Sequence, residues 1–198
     1  MRKTAICVLV VALMSGCGST YVRRYFQIQS VALAEPALPK IERRLLVEPA
    51  SVDPLYDDIR ILYRVSPFEL KYYPYEFWAE NPGKQVGAAM AEYLGNKKIF
   101  PSIGRGPTKE EPEIILRSRV HVLEEIDYLD AWQAHLAMDL EFVDFKSGQA
   151  LLTRSFDRKE KMAGKEVGEF PPVCSRILEE ELGKAVWELA RALEKKNG

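Results

Sequence analysis

Between Asp58 and Val65 apolar and polar side chains alternate. Ile59, Ile61, Tyr63 and Val65 fall on one side of an extended chain and Asp58, Arg60 and Arg64 on the other, the period of two expected of a half-buried strand. The same period is clearest further on, where Ile114, Leu116, Val120 and Val122 oppose Arg117, Arg119 and His121. It returns with Trp132, Ala134, Leu136, Met138, Leu140 and Phe142 opposing Gln133, His135, Asp139 and Glu141. These predict two strands of a sheet with one wet face. Ser147-Gly148 predicts a turn into a further strand over 150–158, completing an antiparallel meander. Shorter strands are predicted at 25–28, at 43–48 before Pro49, and at 69–73.

Two stretches change the period to that of a helix. Val86, Met90, Tyr93 and Leu94 make one stripe after Asn81-Pro82, a capping residue followed by a proline where no backbone donor is needed, and Gly95-Asn96 predicts the stop. After Pro171-Pro172, the positions Ile177, Leu178, Leu182, Ala185, Val186, Leu189 and Leu193 make the second stripe, with Lys195-Lys196 suited to the negative end of the helix. The segment 101–112 is rich in Gly and Pro without periodicity and predicts a loop. The expected fold is therefore α/β: a mixed, largely antiparallel sheet with two helices packed on it.

The first residues follow a different rule. Arg2 and Lys3 precede an apolar run from Ala5 to Met14, too short to span about 30 Å of hydrocarbon. The run ends in Met14-Ser15-Gly16-Cys17, which resembles the lipobox of bacterial lipoproteins and predicts cleavage before Cys17 and lipidation of its thiol. The predicted organisation is a signal peptide at 1–16, a lipidated Cys17 with a short tether to 24, and one domain over 25–198. Gly18 occupies the place where an inner-membrane retention signal typically requires Asp, so the expected address is the periplasmic face of the outer membrane.

Composition narrows the chemistry. Of three cysteines, Cys7 leaves with the leader and Cys17 is spent on lipid, so Cys174 has no intramolecular partner and no disulfide framework is expected. Lys and Arg number 28 against 29 Asp and Glu, a formal charge of −1 that becomes −3 when Arg2 and Lys3 are removed. That balance does not suit nucleic acid. The short motifs of nucleophile, metal or cofactor sites are missing, and Gly104-Arg105-Gly106 lacks the lysine of a phosphate loop, so neither catalytic residues nor a cofactor are expected. A hairpin centred near Tyr128 would set His121 opposite His135 on the polar face. Two ligands do not close a metal site, so solvated imidazoles are expected there and no metal. The remaining candidate is Tyr72-Tyr73-Pro74-Tyr75-Glu76-Phe77-Trp78, whose aromatics exceed what one face of a short strand can bury. On one reading Phe77 and Trp78 simply pin the loop onto the first helix. The other reading makes Tyr72, Tyr73, Tyr75 and Trp78 a partner-binding surface, for which Tyr and Trp are favoured.

Several segments together resemble one family, the ABC-type transport auxiliary lipoproteins. They are the lipobox, Arg24-Tyr25-Phe26, Leu46 to Pro49, Ile61-Leu62-Tyr63-Arg64, Leu70 with Tyr72-Tyr73, Trp78-Ala79-Glu80-Asn81-Pro82 and Glu113-Ile114-Ile115-Leu116. The resemblance implies a sandwich like the anticodon-binding-like domain at the start of the TolB protein. It also implies a non-catalytic partner of an ABC transporter and a mammalian-cell-entry (MCE) domain protein, together moving lipids or other hydrophobic compounds across the envelope. Self-association is compatible with such a role. The alternative from another class is a lipoprotein cofactor or scaffold of a cell-wall or secretion machine.

Overall fold

The computed structural model describes residues 21–31, 37–107, 110–128 and 132–197. The leader, Cys17 and the tether up to residue 20 lie outside them. In chain order the elements are β1 (Arg24–Phe26), β2 (Leu45–Val47), β3 (Ser51–Val52), β4 (Arg60–Ser66), β5 (Glu69–Trp78), α1 (Pro82–Asn96), β6 (Ile103–Gly104), β7 (Ile114–Ile126), β8 (Gln133–Asp144), β9 (Ala150–Lys161), a 3-10 turn (Val167–Glu169) and α2 (Phe170–Asn197).

The longest alternating stretch becomes the spine. One edge of β7 pairs with β8, which pairs with β9, all antiparallel. The other edge is long enough to take three short strands in succession, all parallel: β2 against 114–116, β3 against 119–120 and β4 against 125–126. β4 turns back into β5, β1 lies parallel to the far side of β5, and β6 lies against β2. The sheet is mixed and mainly antiparallel, as the periodicity predicts. Both helices pack on one face of it, through a core that includes Leu45, Ile114, Leu116, Val120, Leu136, Met138, Leu140 and Phe142 from the sheet and Val86, Met90, Leu94, Ile177, Leu182 and Leu189 from the helices.

The first helix starts where the sequence places it. The Asn81 side chain accepts from the Gly83 N–H at 2.9 Å, and Pro82 occupies the first turn. Gly83 is required by contact: a Cβ there would lie 2.1 Å from the Ala50 carbonyl oxygen. The helix ends at Asn96 as expected, but the left-handed residue that turns the chain is Lys98, at φ 52°, and not Gly95. α2 is held to β9 by charge as well as by its stripe, since Arg154 reaches the buried Glu181 carboxylate at 2.6 Å. The turn after β8 does use its glycine, Gly148, at φ 68°.

Three departures matter for the site. β5 does not stop at Pro74 but runs on to Trp78, and the ladder with β4 is irregular between Arg60 and Leu62, where β5 skips several residues including Pro74. A strand tolerates proline where no ladder donor is needed, and a register break supplies that place. The predicted loop at 101–112 contains the two-residue strand β6. Finally, β7 carries a bulge at His121, with Val120 opposite Met138 and Val122 opposite Ala137. One extra residue resets the alternation. Val120 and Leu123 therefore enter the core, while Val122 is only partly buried.

Candidate functional site

The bulge decides what the two histidines can do. His135 faces Glu124 and not His121, so the expected cross-strand histidine pair does not form. His121 instead sits between Asp139 at 2.6 Å and Asp53 at 3.4 Å. Those two carboxylates, Asp139 foremost, raise its pKa above the usual imidazole value. No group of three or more His, Cys, Asp or Glu suited to a metal is found among the described residues.

Beyond the bulge lie two consecutive buried carboxylates that the alternating pattern does not flag. The run Leu123-Glu124-Glu125-Ile126 looks like the polar end of a strand, yet all four residues are buried. Glu124 accepts from Arg64 Nε at 2.6 Å, Arg64 Nη2 at 2.8 Å and the Tyr56 hydroxyl at 2.8 Å, with His135 Nδ1 at 3.4 Å. Burial alone would raise its pKa; hydrogen bonds from His135, Arg64 and Tyr56 outweigh that and bring it down to about 2. Glu125 faces the helices. It takes one hydrogen bond, from the Tyr73 hydroxyl at 2.6 Å, and its Oε2 has no partner. Burial dominates there, helped by the charges of Asp127 and Glu76, and lifts its pKa to about 7.

This network uses part of the aromatic series. Tyr73 is committed to Glu125, and its ring lies 4.3 Å from that of Tyr63. Trp78 is 3% exposed and packs on Phe170 at the start of α2, with ring centroids 5.7 Å apart. It is a core residue and not an accessible anchor, because β5 continues past Pro74 and turns the indole toward the helices. Tyr72 is half-buried, its hydroxyl donating to the Leu55 carbonyl at 3.2 Å and its ring lying 4.0 Å beneath the Arg60 guanidinium. Tyr75 is half-buried under Tyr21, the rings stacked at 4.6 Å. Of the four candidates, Trp78 is buried, while Tyr72, Tyr73 and Tyr75 are half-buried and keep accessible area, with the Tyr73 hydroxyl taken up by Glu125.

More of the exposed apolar surface lies beside them. Tyr25 on the edge strand β1 is 59% exposed and stands 5.8 Å from Phe77, while Ile59, 51% exposed, accepts from the Trp78 N–H through its carbonyl. Leu55, also exposed, joins the patch through Tyr72. The sequence offered a signal for Ile59, since it opens an apolar face; only the end of β4 at Arg60 leaves it outside the sheet. The charged end of β1 is fixed by Arg24, which reaches Glu76 at 2.9 Å. The surface can hold a partner through Tyr and aliphatic contacts, with Arg23 and Arg60 at its border.

A family model described as "ABC-type transport auxiliary lipoprotein component" matches residues 26–180. No curated protein matches the chain. Among solved structures, protein XCC0632 from Xanthomonas campestris is similar over 88% of this chain and 100% of its own, at 16% identity and a TM-score of 0.75. An uncharacterized protein is similar over 87% of this chain and 99% of its own, at 15% identity and a TM-score of 0.62. At these identities the likeness concerns the fold.

Proposed function

The chain belongs to the ABC-type transport auxiliary lipoprotein family, and on that premise we propose that it is the non-catalytic, membrane-anchored component of a system in which an ABC transporter and an MCE-domain protein move lipids or other hydrophobic compounds across the envelope. Lipid on Cys17 holds it at the periplasmic face of the outer membrane, and the folded domain docks the MCE-domain protein. The observation that carries this reading is the family match, which spans the domain from β1 into α2.

Two features support it. The tether is short: seven residues from Cys17 to Arg24, at 3.3 to 3.6 Å each, reach at most about 25 Å before the chain is locked into the sheet by β1. The domain can dock but cannot roam. Second, Tyr25 beside Phe77, Ile59 beside Trp78 and Leu55 beside Tyr72 present apolar area along β5, an arrangement in which a few residues can carry most of the binding energy. The polar groups buried next to this patch, Glu124 and Glu125, are held by Arg64, Tyr56 and Tyr73 and serve the fold.

The test has two parts. Cys17→Ala in cells should release the protein from membranes or leave it unprocessed; a variant that is cut and retained like wild type would overturn the anchor. Binding of the full-length protein in detergent to a cognate MCE-domain protein should weaken roughly tenfold or more for Tyr25→Ala and for Ile59→Ala, with unchanged melting. Absence of binding by wild type at concentrations on the order of 10 μM would sink the transport reading.

A further inference from the structure

The strand directions place two exposed aromatic residues, Phe68 and Tyr128, at one end of the sheet, and it is the end toward which the chain runs back from Arg24 to Tyr21. β1 is parallel to β5, with Arg24 opposite Glu76 and Phe26 opposite Trp78. Going backward from Arg24 to Tyr21, the first described residue, therefore means going backward along β5, toward its first residue, Glu69. There the β4–β5 hairpin turns through Pro67 and Phe68, and the Phe68 side chain is 98% exposed. β4 is parallel to β7, Arg64 lying opposite Ile126, so β7 ends at this same end and is followed by Tyr128, 40% exposed. β9 also ends here, since Lys161 pairs with Gln133 and Lys159 with His135, and both lysines are exposed. The Ser147-Gly148 turn lies at the opposite end, about 36 Å away along the eleven steps of β8 at about 3.3 Å each.

We propose that this end of the sheet is a membrane seat: the Phe68 hairpin tip, with Tyr128 beside it, rests in the interfacial layer of the bilayer that holds the lipid on Cys17. The proposal rests on the anchoring at Cys17 in the reading above. The occupant follows from the length of chain between the anchor and the fold. Tyr21 is fixed against Tyr75 by stacking, and only four steps separate it from Cys17, at most about 14 Å of extended chain. Tyr75 lies in the skipped stretch of β5, level with Ile61, so the rise to the hairpin is read on β4: five steps from Ile61 to Ser66, about 17 Å, with Phe68 beyond them in the same direction. With the strands upright on the membrane, the hairpin tip reaches the lipid before the tether is fully extended. Tilting the domain shortens that overlap, because it shortens the projection of the strands on the membrane normal.

The chemistry of the tip suits that position. A phenylalanine exposed almost completely to water at a proline turn gains by entering the interface, where aromatic rings are favoured, and a tyrosine there keeps its hydroxyl hydrated. Lys159 and Lys161 add positive charge for anionic headgroups at the same end. The seat also fixes orientation: it turns the Ser147-Gly148 end away from the membrane and leaves the Tyr25 and Ile59 patch on the side of the domain.

Site-directed spin labelling of the full-length lipidated protein tests this in vesicles of phosphatidylethanolamine and phosphatidylglycerol. Cys174 is fully buried and its thiol pKa is pushed well up by that burial, so it should not react. A parent chain that takes up no label therefore also reports that Cys17 is acylated. With nitroxides placed by Phe68→Cys and Tyr128→Cys, collisions with oxygen should exceed those with a water-soluble nickel chelate; with Lys146→Cys at the far turn the ratio should invert. A label at 68 as wet as the one at 146, on an acylated chain, overturns the seat and leaves the anchor standing. A label at 68 shielded from both reagents overturns it in favour of a contact between copies. Labelling of Cys17 itself removes the anchor, and the seat falls with it.

Discussion

Glu124 and Glu125 are neighbours on β7, both buried, and the sheet sends them to opposite faces. On one face Glu124 meets a guanidinium, a phenol and an imidazole, and its pKa falls to about 2. On the helix-covered face Glu125 meets a single phenol, keeps one oxygen without a partner, and its pKa rises to about 7. The same residue type at nearly the same depth is held charged in one case and pushed toward the neutral acid in the other. Burial penalises the charge of both; what differs is the number of donors that the neighbouring strands bring.

The largest test of this contrast is Arg64→Met. It leaves Glu124 buried beside Tyr56 and His135 without its cation, and should cost about 3 to 5 kcal/mol in urea unfolding, the usual consequence of removing one partner of a buried pair. Next is Tyr73→Phe, which takes away the one hydrogen bond to Glu125 and should cost about 1 to 3 kcal/mol. A loss below about 0.5 kcal/mol there would mean that Glu125 finds another donor.

The pH dependence should have two limbs of opposite sign. Glu124 has a folded pKa below its ordinary 4.5, so its contribution is present above about 4.5 and is lost as pH falls toward about 2. Glu125 has a folded pKa above 4.5, so the folded state holds a proton that the unfolded chain has released; stability falls as pH rises from about 4.5 to about 7, by at most about 1.4 kcal/mol per pH unit. Chemical denaturation from pH 3 to 8 reads both limbs. Glu125→Gln should flatten the upper limb and leave the lower one; an upper limb that survives this change assigns it to another group. The smallest effect is expected for Tyr56→Phe, about 1 kcal/mol, because Glu124 keeps Arg64 and His135. Equal costs for Tyr56→Phe and Tyr73→Phe would erase the distinction between a carboxylate with several donors and one with a single donor.

Much of this architecture was legible along the chain. The alternation at 114–122 and 132–142 marks β7 and β8, Asn81-Pro82 marks the start of α1, and the stripe from Ile177 to Leu193 marks α2. These signals are local: a strand or a helix is recognised by the spacing of apolar residues within one segment, and a cap by the donors of its own first turn. The aromatic run from Tyr72 to Trp78 was legible as a surplus, though which of its members would be accessible was not.

The tertiary structure decided everything that depends on pairing across the chain. One bulged residue at His121 separated the two histidines and carried Glu125 to the helix side of the sheet, and nothing in the alternation up to Val122 announces it. The local pattern predicts a strand only over 69–73, yet the register break with β4 lets β5 continue through Pro74 and buries Trp78 against Phe170, 92 positions later. Ile59 and Phe68 became exposed because β4 begins after the one and turns just before the other. Spacing within a segment already determines the long strands, the two helices and the apolar stripe of each, whereas β3 and β6, two residues apiece, carry no such signal. Register, exposure and the charge of a buried carboxylate are set by neighbours many residues away, and they acquire values only when the sheet closes.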